Sequence, residues 1–303
     1  MAEYGTYYYG GSMGSYGGET PQPTERKYTI VQSLWTKPIK DKQRLKDTLY
    51  VAALSLAYAH RSGYKVHMHT DRKGMELLKD FGYEELLPTL DDIPNTVPTE
   101  LFAAGKFFAL RAEGALGKVH IDLDVYIKKP HILDRFYENY KVDVICQQDE
   151  DFNHDLYDVK AKHMHIIGYP FGTRPSWTSS LNTGVVGFNN PVLASKYMRN
   201  YFDALLMYTK DKFEAYKAEN GVPSEDMHFD YILEQSTLSY MSIGYNVLTL
   251  VPTKGASEVA DKIGFQHDWG CSKWNNMSLI RVNLQRVDRE LYRIARLATY
   301  KVK

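Results

Sequence analysis

Apolar and polar positions along the chain alternate between short apolar runs and longer amphipathic stretches, beginning at Lys27. YTIVQSLW is rich in β-branched and aromatic residues and closes at Thr36-Lys37-Pro38, which predicts a first strand. Asp41 then fits a helix N-cap. Leu45, Leu49, Ala52, Ala53, Leu56 and Ala59 recur at helical spacing up to about Arg61, and Gly63 is the stop. YKVHMHTD follows as a second strand ending in Asp71. Strand, helix and strand within about 45 residues make a βα unit, the building block of a mainly parallel sheet.

The same reading continues downstream. A short helix over 72–80 and a proline-containing loop lead to a helix from about Thr99 to Ala115, with Thr99 and Glu100 as start signals and Gly117 as the stop. That helix delivers the chain into KVHIDLDVYIKKP, residues 118–130, an apolar strand ending in Asp122 and Asp124. Strand alternation would point both carboxylates to one side. A further strand, VDVICQ, precedes an irregular polar region over 149–181, whose length suggests a functional loop or lid. In SLNTGVVGFNNP, Asn182-Thr183-Gly184 stands before an apolar strand. Gly184 would let backbone approach a ligand and Asn182 offers a donor and an acceptor, although a plain turn explains the segment equally well. One long helical pattern covers 191–219, and a helix over 225–240 carries Glu234 and Gln235. Strand NVLTLVP, the loop GFQHDWGCSKWNN and a helix from Arg286 to about Tyr300 complete the chain.

Composition narrows the function classes. The 303 residues suffice for a sizeable core, and 44% hydrophobic with 24% charged residues is ordinary for a globular protein. Thirty-seven basic residues balance thirty-seven acidic ones, so nothing in the charge points to nucleic acid as a partner. Cys146 and Cys271 are far apart, which argues against a disulfide framework or structural zinc and fits a cytoplasmic, reducing compartment. Neither a membrane-spanning run nor a signal peptide is visible. Residues 1–26 are rich in Gly, Tyr and Ser and then Pro, a composition that cannot offset its ordering entropy, and read as a disordered tail. The last helix places Val287, Leu291, Ile294 and Ala298 on one face and arginines on the others. Docking on the core is the preferred reading, with peripheral contact to an anionic membrane as the alternative.

The candidate chemistry begins with the two carboxylates. Asp122 and Asp124 are hard oxygen ligands suited to Mg²⁺ or Mn²⁺ shared with substrate phosphates. The loop His267-Asp268-Trp269-Gly270-Cys271-Ser272-Lys273-Trp274 adds an imidazole, a residue that permits a tight bend and a compact cation. Together they are machinery for a leaving diphosphate. His67 and His69 alternate on the second strand, but with no third ligand nearby in sequence they read as structural.

These motifs resemble those of the metal-dependent glycosyltransferases of the GT-A fold, glycosyltransferase family 8 in particular. That family pairs an Asp-x-Asp strand end with a C-terminal His-x-x-Gly-x-x-Lys-Pro-Trp loop. His267, Gly270, Lys273 and Trp274 follow that pattern without the Pro. Its Asn-Ser-Gly segment is similar to Asn182-Thr183-Gly184. Its Asp-Gln pair is similar to Glu234-Gln235, with Asp226 and Asp230 as competing placements. The family's helix ahead of the Asp pair presents a basic residue to the nucleotide sugar, the place of Lys106 or Arg111 here. Acidic residues that hold the nucleotide in the family are replaced after the first strand by Gln32, Ser33 and Trp35, which leaves the base open. The resemblance runs over residues 28–285 in motif order, and the QSxW strand is also similar to that of bacterial and phage-encoded GT-A-like proteins.

The resemblance implies an α/β fold of GT-A type, a mainly parallel central sheet flanked by helices, with 27–303 as one domain behind the tail. It implies transfer of a sugar from a nucleotide-diphosphate sugar, a UDP-sugar by preference, to an acceptor hydroxyl with retention of configuration. Asp122, Asp124 and His267 would hold Mn²⁺ or Mg²⁺. Gln32, Lys106, Arg111, Asp122, Gly270 and Lys273 would contact the donor. Gln235, Asn182 and Lys273 would act at the reacting centre, with Glu234 as an alternative there. Two rivals stand beside this reading. A sugar-phosphate nucleotidyltransferase would need a Gly-rich phosphate loop after the first strand, which VQSLWTKP lacks. A catalytically inactive GT-A-like module could instead bind saccharide or a partner, with the tail as its adhesive part.

Overall fold

The computed structural model describes residues 28–151, 160, 162–164, 179–252, 256–268 and 272–302. The tail over 1–26, most of the polar region 149–181 and Gly270 lie outside the described residues. The strands are β1 (Tyr28–Leu34), β2 (Tyr64–Thr70), β3 (Glu85–Leu87), β4 (Val119–Ile121), β5 (Val125–Ile127), β6 (Val144–Asp151), β7 (Ser179–Phe188), β8 (Val247–Val251) and β9 (Phe265–His267). Seven of them form one sheet in the order β3-β2-β1-β4-β7-β6-β8. Only β7 runs against its neighbours, pairing antiparallel with both β4 and β6. The expected mainly parallel α/β sheet flanked by helices is therefore the observed one.

Helix α1 (Lys42–Arg61) forms as its pattern requires. Asp41 accepts from the Arg44 N–H at 2.6 Å, and the stripe from Leu45 to Ala59 is buried to 2% exposure or less. With Ile30 and Leu34 of β1 it builds the core on one face of the sheet. That core is closed by α10 (Met277–Val287) and α11 (Arg289–Lys301). On the other face, α3 (Ala104–Ala112) and α5 (Pro191–Met207) supply Phe107, Phe108, Tyr197 and Tyr201 to a second core.

Several elements depart from their sequence patterns for identifiable reasons. α3 begins at Ala104, not Thr99, because residues 98–103 form turns whose last N–H, that of Ala103, donates to the buried Asp230 carboxylate at 2.9 Å. The helix end is thus satisfied from a distant segment instead of by a local cap. The pattern over 191–219 is two helices, α5 and α6 (Lys210–Asn220), parted at Tyr208 and Thr209. The segment over 225–240 is a 3₁₀ turn, then a π-helical stretch Tyr231–Ser236 and a short helix, α7 (Thr237–Met241). Thr237 Oγ1 donates to the Ile232 carbonyl five residues back, at 2.9 Å. Asn182-Thr183-Gly184 is inside β7, not a turn before it. The C-terminal pattern is split by Asp288, which caps α11 by accepting from the Leu291 N–H at 2.8 Å. Leu291, Ala295 and Ala298 belong to the core shared with α1, so the apolar stripe of α11 is spent on docking. No helix among the described residues is long and apolar enough to cross a membrane.

Candidate functional site

The Asp pair sits where β4, central in the sheet, reaches its C-terminal end, the edge at which open α/β sheets bind ligands. β4 stops at Ile121, and residues 122–124 make a turn closed by the Val125 N–H donating to the Asp122 carbonyl at 3.0 Å. It is this turn, not strand alternation as the sequence suggests, that brings the two carboxylates together. The chain then enters β5, which pairs antiparallel with β9 alone. In that register Val125 faces His267, and the Asp268 N–H donates to the Asp124 carbonyl at 3.0 Å, carrying the pairing one step further. His267 is accordingly the last residue of a strand and not part of a free loop. α1 anchors this small sheet from behind: Ser55 Oγ and Ser62 Oγ donate to the Val125 and Ile127 carbonyls, each at 2.7 Å.

Ligand atoms of Asp122, Asp124 and His267 all lie within 4.8 Å of one another. His267 Nε2 is 3.4 Å from Asp124 Oδ1, and Lys273 Nζ, on the short helix α9 (Ser272–Asn275), is 2.5 Å from Asp124 Oδ2. Burial works to raise the Asp124 pKa, but His267 and Lys273 outweigh it and hold the carboxyl well below its usual range. Asp122, a third of whose side chain is exposed, is pushed up to about 6 by burial, with Lys106 opposing and the like charges of Glu234 and Asp124 adding to it. Two carboxylates and an imidazole at this spacing suit Mn²⁺ or Mg²⁺, and because Lys273 occupies Oδ2 of Asp124, Oδ1 is the oxygen turned toward His267.

Gly184 of β7 explains how closely these groups can gather. Its carbonyl accepts from the Asp122 N–H at 2.9 Å, and a Cβ there would stand 2.8 Å from His267 Cε1 and 2.5 Å from Gln147 Oε1. No side chain larger than hydrogen fits without moving the imidazole or its neighbour. The two residues before it are tied down as well. Asn182 Nδ2 donates to Glu150 Oε1 at 2.8 Å, and Asn182 Oδ1 accepts from the Gly184 N–H at 2.9 Å.

Lys106, on α3, is buried at 5% exposure with its Nζ 3.1 Å from Asp122 Oδ1 and donating to the Thr183 carbonyl at 2.8 Å. It also pairs with Glu234, which in turn accepts from Thr183 Oγ1. Burial would lower the lysine pKa, but Asp122 and Glu234 reverse this and keep Nζ charged. Glu234 is thereby a buried partner of Lys106, joined through it to the Asp pair. Gln235, its neighbour on the π-helical stretch, is half-buried. His120, on β4 beside the Asp turn, accepts or donates with Ser33 Oγ at 3.0 Å, and burial next to Lys106 keeps its ring neutral.

Two expected contacts fall elsewhere. Gln32 is fully buried on the α1 face of the sheet, donating through Nε2 to Ser55 Oγ at 2.7 Å; Ser33 is the residue turned toward His120. The period-two alternation of β1 decides this. Arg111 is exposed, with its guanidinium 4.4 Å from the ring centres of both Phe108 and Phe202. Five residues separate it from Lys106, which puts the two about 140° apart around α3. Gly270 lies outside the described residues.

Comparison with known proteins places the site in context. The family described as "Family of unknown function (DUF6734)" matches residues 28–267, from β1 to the imidazole of the cluster. No curated protein matches the chain. Among solved structures, mouse xyloside xylosyltransferase 1 in its apo form is similar over 74% of this chain and 85% of its own, at 11% identity and a TM-score of 0.36. The galactosyltransferase LgtC in complex with donor and acceptor sugar analogues is similar over 86% of this chain and 96% of its own, at 13% identity and a TM-score of 0.34. The apo-form glycosyltransferase GlyE of Streptococcus pneumoniae TIGR4 is similar over 74% of this chain and 45% of its own, at 14% identity and a TM-score of 0.33.

Proposed function

We propose that this chain, which belongs to the family of unknown function DUF6734, is a metal-dependent glycosyltransferase of GT-A type that moves a sugar from a nucleotide-diphosphate sugar to an acceptor hydroxyl. The observation that carries the reading is the meeting of Asp122, Asp124 and His267, with Lys273 at 2.5 Å from Asp124, at the C-terminal edge of the central sheet. Asp122, Asp124 and His267 would hold Mn²⁺ or Mg²⁺, which would supply neutralisation of the charge on a leaving diphosphate.

The chain's own residues supply the rest. Lys273, released from Asp124, swings its ammonium onto the diphosphate and stabilises the charge that develops there. Lys106 keeps Asp122 in place and does not leave it, since its other partners, Glu234 and the Thr183 carbonyl, are buried with it. Asn182 of β7, two residues from the Gly184 that approaches His267, and Gln235 of the π-helical stretch are proposed to orient the donor sugar. Retention of configuration and a uridine base belong to the same proposal and rest on the motif resemblance alone. The leaving phosphate then takes the acceptor's proton, and no second carboxylate is needed as a nucleophile.

A donor screen decides it. UDP-, GDP- and CMP-sugars are incubated with the protein and Mn²⁺, and release of the nucleotide is followed with and without EDTA. Hydrolysis of one donor, lost with EDTA and in Asp124→Asn, is the expected result; no turnover and no nucleotide-dependent shift of the melting curve for any donor would leave the chain a non-catalytic module.

A further inference from the structure

A second group of metal-type ligands lies on β2, β3 and the end of α3, at the β3 edge of the sheet and two to three strands from the Asp pair at the end of β4. His67 and His69 are on β2, one residue apart, and so point to the same face. Glu85 is the direct cross-strand partner of His67 on β3. Glu113 caps the C-terminal end of α3, the helix whose other end carries Lys106. None of these residues meets in sequence, but in space His67 Nδ1 is 2.8 Å and His69 Nε2 3.1 Å from the same oxygen, Glu113 Oε1. Glu85 Oε2 is 3.8 Å from His67 Nδ1. Ligand atoms of His67, Glu85 and Glu113 all lie within 4.8 Å of one another, and His69 joins them through Glu113.

The surroundings fit a cation better than a plain ion-pair network. His69 Nδ1 is 2.8 Å from Thr89 Oγ1. His69 Nε2 in turn lies 3.1 Å from Glu113 Oε1, so the ring holds that carboxylate as an outer partner orients a ligand. Lys118 approaches the other carboxylate oxygen, Glu113 Oε2, at 3.2 Å and leaves Oε1 to the imidazoles. Two carboxylates against one lysine leave the group one negative charge in excess, which favours a cation. One imidazole and two carboxylates leave a fourth position to water, the three-ligand form of a zinc site.

We propose that His67, Glu85 and Glu113, with His69 steadying Glu113, form a zinc-type cation site that fastens the β2–β3 edge to the C-terminal end of α3. The ion clamps the short strand β3 and fixes the helix that delivers Lys106 to Asp122. The site stands on its own residues and not on the glycosyltransferase reading.

The test uses the full chain stripped with a chelator, carrying Asp122→Asn and Asp124→Asn so that the other cluster cannot answer. Titration with ZnCl₂ alone is expected to give one ion per chain, and Co²⁺ in its place a visible absorption band with the intensity of a four-coordinate site. Glu113→Gln and His67→Ala are each expected to weaken zinc binding by at least about tenfold, as loss of a ligand does. Glu85 is half-exposed on an edge strand, so Glu85→Ala keeps the melting temperature of the metal-free protein and still weakens zinc, which separates ligation from folding. Failure of the doubly substituted chain to bind zinc would overturn the proposal, as would zinc binding indifferent to both Glu113→Gln and Glu85→Ala. If the Asp substitutions prevent folding, the same two variants are titrated in the otherwise unaltered chain under excess Mn²⁺, with the same deciding outcomes.

Discussion

Lys106 and Asp122 lie 3.1 Å apart, Nζ to Oδ1, joining helix α3 to the first carboxylate of the Asp pair across a buried contact. The lysine is shared with Glu234 at 7% side-chain exposure, so its removal strands a carboxylate inside the protein. Breaking one partner of a buried pair costs about 3–5 kcal/mol. Lys106→Met is expected to destabilise by an amount in that range in urea denaturation, and Glu234→Gln in the same chain to recover part of the loss. Additive effects of the two substitutions would show that the pair is not coupled.

Gly184→Ala is the substitution that separates site geometry from site chemistry. It deletes no ligand, yet its methyl would enter the space of His267 Cε1 and Gln147 Oε1. The expected outcome is Mn²⁺ affinity lowered at least about tenfold by calorimetry, the scale of damage when ligands are mis-set without being lost. Unchanged affinity would mean that His267 need not hold its position.

Lys273→Ala is expected to leave folding largely intact, since the side chain is 23% exposed, and to lower donor turnover. It also removes one of the two groups that depress the Asp124 pKa, so the titration of Asp124 should move upward in a carbon-detected NMR series. Turnover equal to that of the unaltered chain would exclude Lys273 from leaving-group stabilisation.

Nucleotide binding through a bound cation predicts conditional stabilisation. UDP at a hundredfold excess over its Kd should stabilise by about 2.7 kcal/mol with Mn²⁺ present. The melting-temperature rise should vanish with EDTA and in Asp124→Asn.

The pH dependence of stability has a distinct source in Asp230. It is 1% exposed and accepts from the Ala103 N–H and from Tyr201 Oη–H at 2.6 Å. Burial nevertheless pushes its pKa up to about 7. A folded pKa above the unfolded one means a contribution fully present below about pH 4 and lost as pH rises toward 7, with a slope of at most about 1.4 kcal/mol per pH unit. Asp230→Asn should flatten the denaturation-versus-pH curve in that window. An unaltered curve would assign the slope to other groups.

How much of this was legible beforehand divides along the range of the interactions. α1 was read correctly because its stripe, its Asp41 cap and its Gly63 stop are all local. The convergence of Asp122, Asp124 and His267 was legible only through motif resemblance, since nothing in the spacing of residues 124 and 267 announces a contact. The means of convergence was hidden. Strands of three residues, like β5 and β9, carry too little alternation to be seen, and Ser55 and Ser62 look like any polar positions on a helix. The donor contact expected of Gln32 rests on the resemblance, and only the alternation within β1 shows that its side chain faces Ser55 of α1. Gly184 had a signal in the Asn-Thr-Gly segment, but its neighbour His267 is distant in sequence. His67 and His69 looked idle for the same reason, their carboxylate partners arriving from β3 and α3.

The pairing of β5 with β9 also sets a timetable for the protein's synthesis. Asp124 and Lys273 are 149 positions apart along the chain. At about 5–20 residues per second, roughly 7–30 s of translation separate the two. For that interval the emerging chain holds the carboxylates without their imidazole and ammonium partners. A ribosome-bound chain stalled before residue 265 therefore has most of the sheet but not His267, and the group Asp122, Asp124 and His267 is complete only once β9, the last of the described strands, is made.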